Sequence, residues 1–151
     1  MSWWQRILSG EGAVKPQRLD YLNEGLALER QGDYDGAITS YQLALRDDPN
    51  NVKTLQYIAI ALSRTGRREE AIRHYRRALE LAPDLSGAHY GLAFLLIKRG
   101  DAQRAVEHLR AFLAKPPRDP EMTRWVEFAR ETLDHLESPD APLTASEWAP
   151  S

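Results

Sequence analysis

Cysteine is absent from all 151 residues. That excludes disulfides, thiolate catalysis and zinc–thiolate sites, and it is compatible with a reducing compartment. An excess of charge of either sign is also lacking: 20 basic against 22 acidic residues leave a formal net charge of −2. A chain so balanced has no overall electrostatic pull toward nucleic acid or an anionic membrane. Nowhere do apolar residues run to the roughly 20 that a membrane-spanning helix needs. Residues 1–10 hold Trp3, Trp4, Ile7 and Leu8 but not the longer apolar run of a secretory signal. Together these absences lead to a cytoplasmic protein with no nucleic-acid partner as the expectation.

Catalytic signatures are missing as well. There is no nucleophile motif, no phosphate-binding glycine loop and no HExxH. Neither catalytic residues nor a cofactor is expected, and the chain is read as a non-enzyme. The histidines are His74, His89, His108 and His135. His74 and His108 occupy equivalent places on neighbouring helices, which pack about 8–10 Å apart. Zinc needs each ligand near about 2 Å, so no metal site is expected. His89 reads as an interhelical packing residue. One local run, Arg64, Arg67, Arg68, Arg73, Arg76 and Arg77, is interleaved with Glu69, Glu70 and Glu80. Without an aromatic row for base stacking, it reads as a salt-bridged outer face rather than an RNA site.

What the chain does have is a period. Ala37, Ala71 and Ala105 lie 34 residues apart, twice over, with no insertion. Gly25, Ala59 and Ala93 form a second small column; Leu28, Leu62 and Leu96 form an aliphatic one. Gly32, Gly66 and Gly100 line up, as do Pro49, Pro83 and Pro117. Self-similarity at a fixed period of this size is the mark of a repeat architecture.

Each period reads as two helices. Tyr21, Gly25 and Leu28, then Ala37, Ile38, Tyr41, Ala44 and Leu45, follow helical spacing. Gly32 can take the left-handed conformation that ends the first helix, and Asp33 can accept from amides in the first turn of the second. Arg67 replaces that aspartate in the second period; Asp101 restores it in the third. The prolines close each period, since proline cannot continue a helix. The column Gly25, Ala59, Ala93 is expected to face Ala37, Ala71, Ala105, small against small, so that two backbones approach closely.

The stretch Gly32-Asp33-Tyr34-Asp35-Gly36-Ala37-Ile38 through Tyr41, Ala44, Leu45 and Pro49-Asn50-Asn51 resembles the tetratricopeptide repeat. The resemblance covers three units, residues 18–51, 52–85 and 86–119, about two-thirds of the chain. It implies an all-α fold: three tandem helix-turn-helix units in a right-handed α-solenoid. Three departures stand out. Glu24 sits in the column of Ile58 and Leu92, Phe112 replaces the small Ala44 and Ala78, and His89 stands where Tyr21 and Leu55 stand.

In the resembling family the first helix of each pair lines a concave surface where protein ligands lie. Carried over position by position, unit one supplies Leu19, Leu22, Leu26, Glu29 and Arg30. Unit two supplies Lys53, Gln56, Ile60, Ser63 and Arg64, and unit three Gly87, Tyr90, Phe94, Ile97 and Lys98. The groove so implied is apolar in its middle, with Arg30, Arg64 and Lys98 as a basic edge. Its expected ligand is another protein, presenting an amphipathic helix or an extended apolar segment with some acidic character. The competing reading is that several of these side chains are buried between helices or under the chain's own ends. A subset of the family grips chaperone C-termini with lysines, asparagines and an arginine. Those places are Leu22, Leu26, Tyr57, Gly87 and Gly91 here, and none carries the needed group.

A seventh helix is expected over 120–137. Asp119 can cap it, Pro120 and Glu121 suit its first turn, and Met122, Trp125, Val126, Ala129, Leu133 and Leu136 share one face. Repeat arrays need such a cap over their open end. Residues 138–151, with an isolated Trp148 among prolines and small residues, read as a disordered tail. Residues 1–17 read as an aromatic segment and linker. Trp3, Trp4, Ile7 and Leu8 are expected to dock on the array, reached through the flexible Ser9-Gly10-Glu11-Gly12. The alternative function is a membrane-associated scaffold tethered by that segment, although about ten residues with a single arginine make a weak anchor.

Overall fold

A computed structural model describes residues 20–138. Among them are seven α-helices and one 3-10 turn: α1 Tyr21–Arg30, α2 Tyr34–Asp47, α3 Val52–Arg64, α4 Arg68–Leu81, α5 Ser86–Arg99, α6 Ala102–Ala114, the turn Pro120–Met122, and α7 Thr123–Glu137. No strand occurs among the described residues. The expectations for residues 1–19, Leu19 included, and for 139–151 lie outside them.

Helix starts follow side-chain chemistry. Asp20, Asp33, Asn51 and Asp101 each accept from the backbone amide three residues on, at 2.9–3.3 Å. Arg67 cannot accept. Its guanidinium instead binds the Glu70 carboxylate at 2.9 Å, holding that acid below the usual carboxylate range. Helix ends are built alike in all three units. Gly32, Gly66 and Gly100 adopt φ of +81°, +79° and +90°. The next amide then reaches back to close the turn: Asp33 to the Leu28 carbonyl, Arg67 to Leu62 and Asp101 to Leu96, at 2.8–2.9 Å. This is the Schellman arrangement, and the left-handed backbone is why each turn carries glycine.

Packing is sequential. Each helix lies on the next, and α3 also touches α5, so successive pairs stack. Ala37, Ala59, Ala71, Ala93 and Ala105 are all fully buried. At Gly25 the reason for smallness differs from the expectation. A Cβ there would overlap the ring of Tyr41, so this glycine seats an aromatic side chain rather than another small residue. Gly91 does the same for Tyr75. We expect Ala71→Leu to destabilise by about 1–3 kcal/mol, since three added carbons have no room beside a fully buried alanine. Urea denaturation checks this, and an unchanged midpoint would show the helix pair to be looser at that point than its burial implies.

At the far end of the array, α7 packs on the last repeat unit. Its Ala129 joins Ala93, Leu109 and Phe112 in one buried cluster. Arg110 of α6 pairs with Glu137 of α7. The expected face also omitted Phe128, which stacks on Phe94 with centroids 5.2 Å apart. The helix itself begins at Thr123 rather than 120. Pro120 has no amide proton, and Asp119 closes a tight 3-10 turn first, its carboxylate accepting from Glu121 and its carbonyl from Met122, both at 2.9 Å.

Candidate protein-binding groove

On α1, Leu26, Glu29 and Arg30 share a face by their i, i+3, i+4 spacing; on α3, Tyr57, Ile60 and Arg64 share one by i, i+3, i+7 spacing. Because the two helices belong to successive pairs, these faces border one hollow of about 390 Å³, which Tyr34 at the start of α2 also lines. The floor is rigid. Tyr41 is fully buried, its hydroxyl donates to the Glu29 carboxylate at 2.6 Å, and its ring stacks on Tyr57 with centroids 6.0 Å apart. Burial and the bond to Glu29 push the Tyr41 phenol far above the ordinary tyrosine range. On the rim, the Arg64 guanidinium donates to the Tyr34 hydroxyl at 3.3 Å and lies 5.6 Å from that ring's centroid. Glu29 is engaged with Tyr41, while Arg30 and Arg64 are exposed. Two guanidinium groups against one carboxylate leave net positive charge around the hollow.

Of the residues expected to line a concave surface, the structure brings Leu26, Glu29, Arg30, Ile60 and Arg64 together. Leu22 packs on the main core and borders a separate hollow with Asp20, Asp47 and Asp48. Gln56 lies against Gly87, filling the space a side chain would occupy there. Lys53 is exposed at the start of α3. Tyr90, Phe94 and Ile97 pack on the cluster that α7 completes. Tyr90 meets Trp125 edge-on at 5.7 Å and Phe112 at 5.1 Å, and burial pushes its phenol up to about 12. Lys98 is exposed, its carbonyl accepting from Arg68 at 3.3 Å. The apolar stripe is thus open at the seam of units one and two, and covered by the chain itself in unit three.

Sequence reasoning did not place Tyr34 in the groove, and it named Tyr57 only as a position of the chaperone-gripping subset. Tyr57 stands three residues before Ile60 and seven before Arg64, so helical spacing could have found it. Tyr34 carries no such signal, because its place depends on how α2 leaves the turn. The arginine run behaves as a salt-bridged face in part: Arg77 pairs with Glu80 at 2.9 Å, and Glu69 pairs across to Arg99 of α5 at 3.3 Å. No helix among the described residues is long and apolar enough to cross a membrane.

Two family models described as tetratricopeptide repeat match residues 18–84 and 65–124. Among solved structures, the chain is similar to the first TPR of Spaghetti (RPAP3) bound to the HSP90 peptide SRMEEVD. Identity there is 21% and the TM-score 0.65, over 76% of this chain and 93% of that one. The TPR2B domain of yeast Sti1, in a complex with pHsp70, has 21% identity and a TM-score of 0.67, with the same coverage. The type III secretion translocator chaperone SycD of Yersinia enterocolitica has 14% identity and a TM-score of 0.72, over 78% and 81%. No curated protein matches by sequence. The 34-residue period, the three identical glycine turns and the two matched models lead to one conclusion: the chain is a tetratricopeptide repeat protein, an all-α helical repeat solenoid.

Proposed function

We propose that this protein is a non-enzymatic scaffold, with units at 18–51, 52–85 and 86–119 and a cap at 120–137, that binds another protein through the seam between its first two units. The observation that carries the reading is the hollow where Leu26, Tyr57 and Ile60 lie beside Arg30 and Arg64. An apolar floor with cationic rims suits an amphipathic helix or apolar segment that carries an acidic residue. The HSP90 peptide on the similar Spaghetti domain and the pHsp70 complex of the similar Sti1 domain lend support to a protein ligand. The carboxylate-gripping groups of the chaperone-binding subset are missing here, so a different peptide chemistry is expected. Tethering to a membrane would rest on Trp3 and Trp4, which lie outside the described residues.

Selection from a displayed peptide library tests the proposal. The natural sequence should enrich peptides that combine large apolar side chains with Asp or Glu. Ile60→Glu should weaken the selected peptides by about 2 kcal/mol, roughly thirtyfold, because it sets a charge into the apolar floor. Arg30→Glu with Arg64→Glu should shift the preference toward Lys and Arg. Enrichment unaffected by either change would remove the seam as the binding site.

A further inference from the structure

His89 of α5 and His108 of α6 meet nitrogen to nitrogen, Nδ1 to Nδ1, at 3.0 Å. Their ring centroids are 5.3 Å apart. That separation equals the nitrogen distance plus two ring radii, so both nitrogens lie on the line between the rings. A straight line suits a hydrogen bond, which prefers a near-linear donor. It does not suit a metal held by both nitrogens, which would sit at the corner of a bend. Among the described residues no third metal-ligating side chain joins the pair.

The second contact of His89 assigns the protons. Its Nε2 lies 2.7 Å from the Pro83 carbonyl, which can only accept. Neutral His89 therefore carries its proton on Nε2 and offers a lone pair at Nδ1. His108 must then be the donor, with its proton on Nδ1 and its Nε2 bare. One further proton can settle on His108 Nε2 and leave the shared bond in place. The next must go to His89 Nδ1, where it faces the proton already there, and the bond is lost between two cations.

We propose that His89 and His108 form a shared-proton clasp between α5 and α6 that makes the capped end of the array acid-sensitive. The surrounding groups favour the uncharged form of His108. His108 is half-buried, the Arg76 guanidinium of α4 bears on it along with His89, and Glu107 beside it on α6 opposes them. The net effect lowers the His108 pKa below its ordinary 6.5. In the unfolded chain that histidine takes up a proton at its ordinary value while the folded protein resists. Stability is thus complete above pH 6.5 and declines as pH falls from there through the lower folded value. The site of weakening is specific. α5 also holds Tyr90 and Phe94 against α7, whereas the seam of units one and two has no histidine in its lining.

Two measurements on the full chain test the clasp. Long-range proton–nitrogen NMR at pH 8 should show His89 protonated at Nε2 and His108 at Nδ1. His108 found protonated at Nε2 would overturn the proposal without any variant. Urea midpoints at pH 7.5 and 5.5 provide the second. His108→Asn keeps an amide donor near the Nδ1 position but takes up no proton, so its midpoint should fall less between the two pH values than that of the natural protein. The folding equilibrium of the natural protein should drop by up to about tenfold for each unit by which the folded pKa lies below the unfolded one. Equal drops in the two proteins would show that the pair is not the sensor.

Discussion

A chain cut after Asp119 should aggregate or lose its third unit, whereas one cut after Pro139 should melt like the full protein. The difference lies in what α7 covers. Without it, Phe112, Tyr90, Phe94 and Leu109 lose the partners that Trp125, Phe128 and Ala129 provide. Withdrawing four such side chains from water is worth roughly 1.5–3 kcal/mol each. The sum rivals the roughly 5–15 kcal/mol by which a whole domain is stable. Circular dichroism melts and size-exclusion profiles of the two shortened chains decide the matter. Identical behaviour would mean that α7 is an appendage and not a cap.

Tyr41→Ala should cost about 3–5 kcal/mol, the range for deleting a large buried aromatic. Tyr41 is fully buried, one of the largest such side chains in the protein. It ties three helices at once: it fills the space left by Gly25 on α1, bonds Glu29 on the same helix, and stacks on Tyr57 of α3. Tyr41→Phe keeps the ring and removes only the bond to a carboxylate, about 1.5–3 kcal/mol. The two variants separate packing from hydrogen bonding. A difference in urea midpoint at constant slope is the readout. Alkali supplies an independent check. The folded phenol is held protonated above its ordinary value of 10.0, so the stability it contributes is complete below pH 10 and is lost as pH rises toward the folded value. Tyr41→Phe should blunt that loss. A variant as alkali-sensitive as the natural protein would place the effect elsewhere, with Tyr75 as the next buried phenol.

Much of this architecture is legible in the amino-acid sequence, because its rules are local. A glycine that turns left-handed and an aspartate that caps the next amide act within a few residues of each other. Repetition at Gly32, Gly66 and Gly100 makes the pattern unmistakable. Legibility fails where two distant segments decide together. Gly25 looks like a small residue facing small residues, yet its neighbour is the Tyr41 ring. Phe128 falls beside the apolar stripe read along α7, and it is the packing of α7 on the last unit that brings it onto Phe94. The 34-residue spacing of His74 and His108 draws attention to the wrong pair, because His108 meets His89 across its own unit. In the groove, Leu26, Glu29, Arg30, Ile60 and Arg64 could be named from the resemblance to the tetratricopeptide family. That Tyr90 and Phe94 would be covered by α7 could not, because the cover depends on where a helix outside the repeat comes to rest.

The lack of natural cysteine offers a direct test of where a partner sits. Ile60→Cys places a single thiol in the seam of units one and two, and Arg73→Cys places one on the exposed face of α4. Each is labelled with a thiol-specific photocrosslinker and illuminated with a peptide selected by the natural protein. A peptide adduct that forms from position 60 and not from position 73 is the expected result. Adducts from position 73, or equal yields from both, would contradict a binding face in the groove.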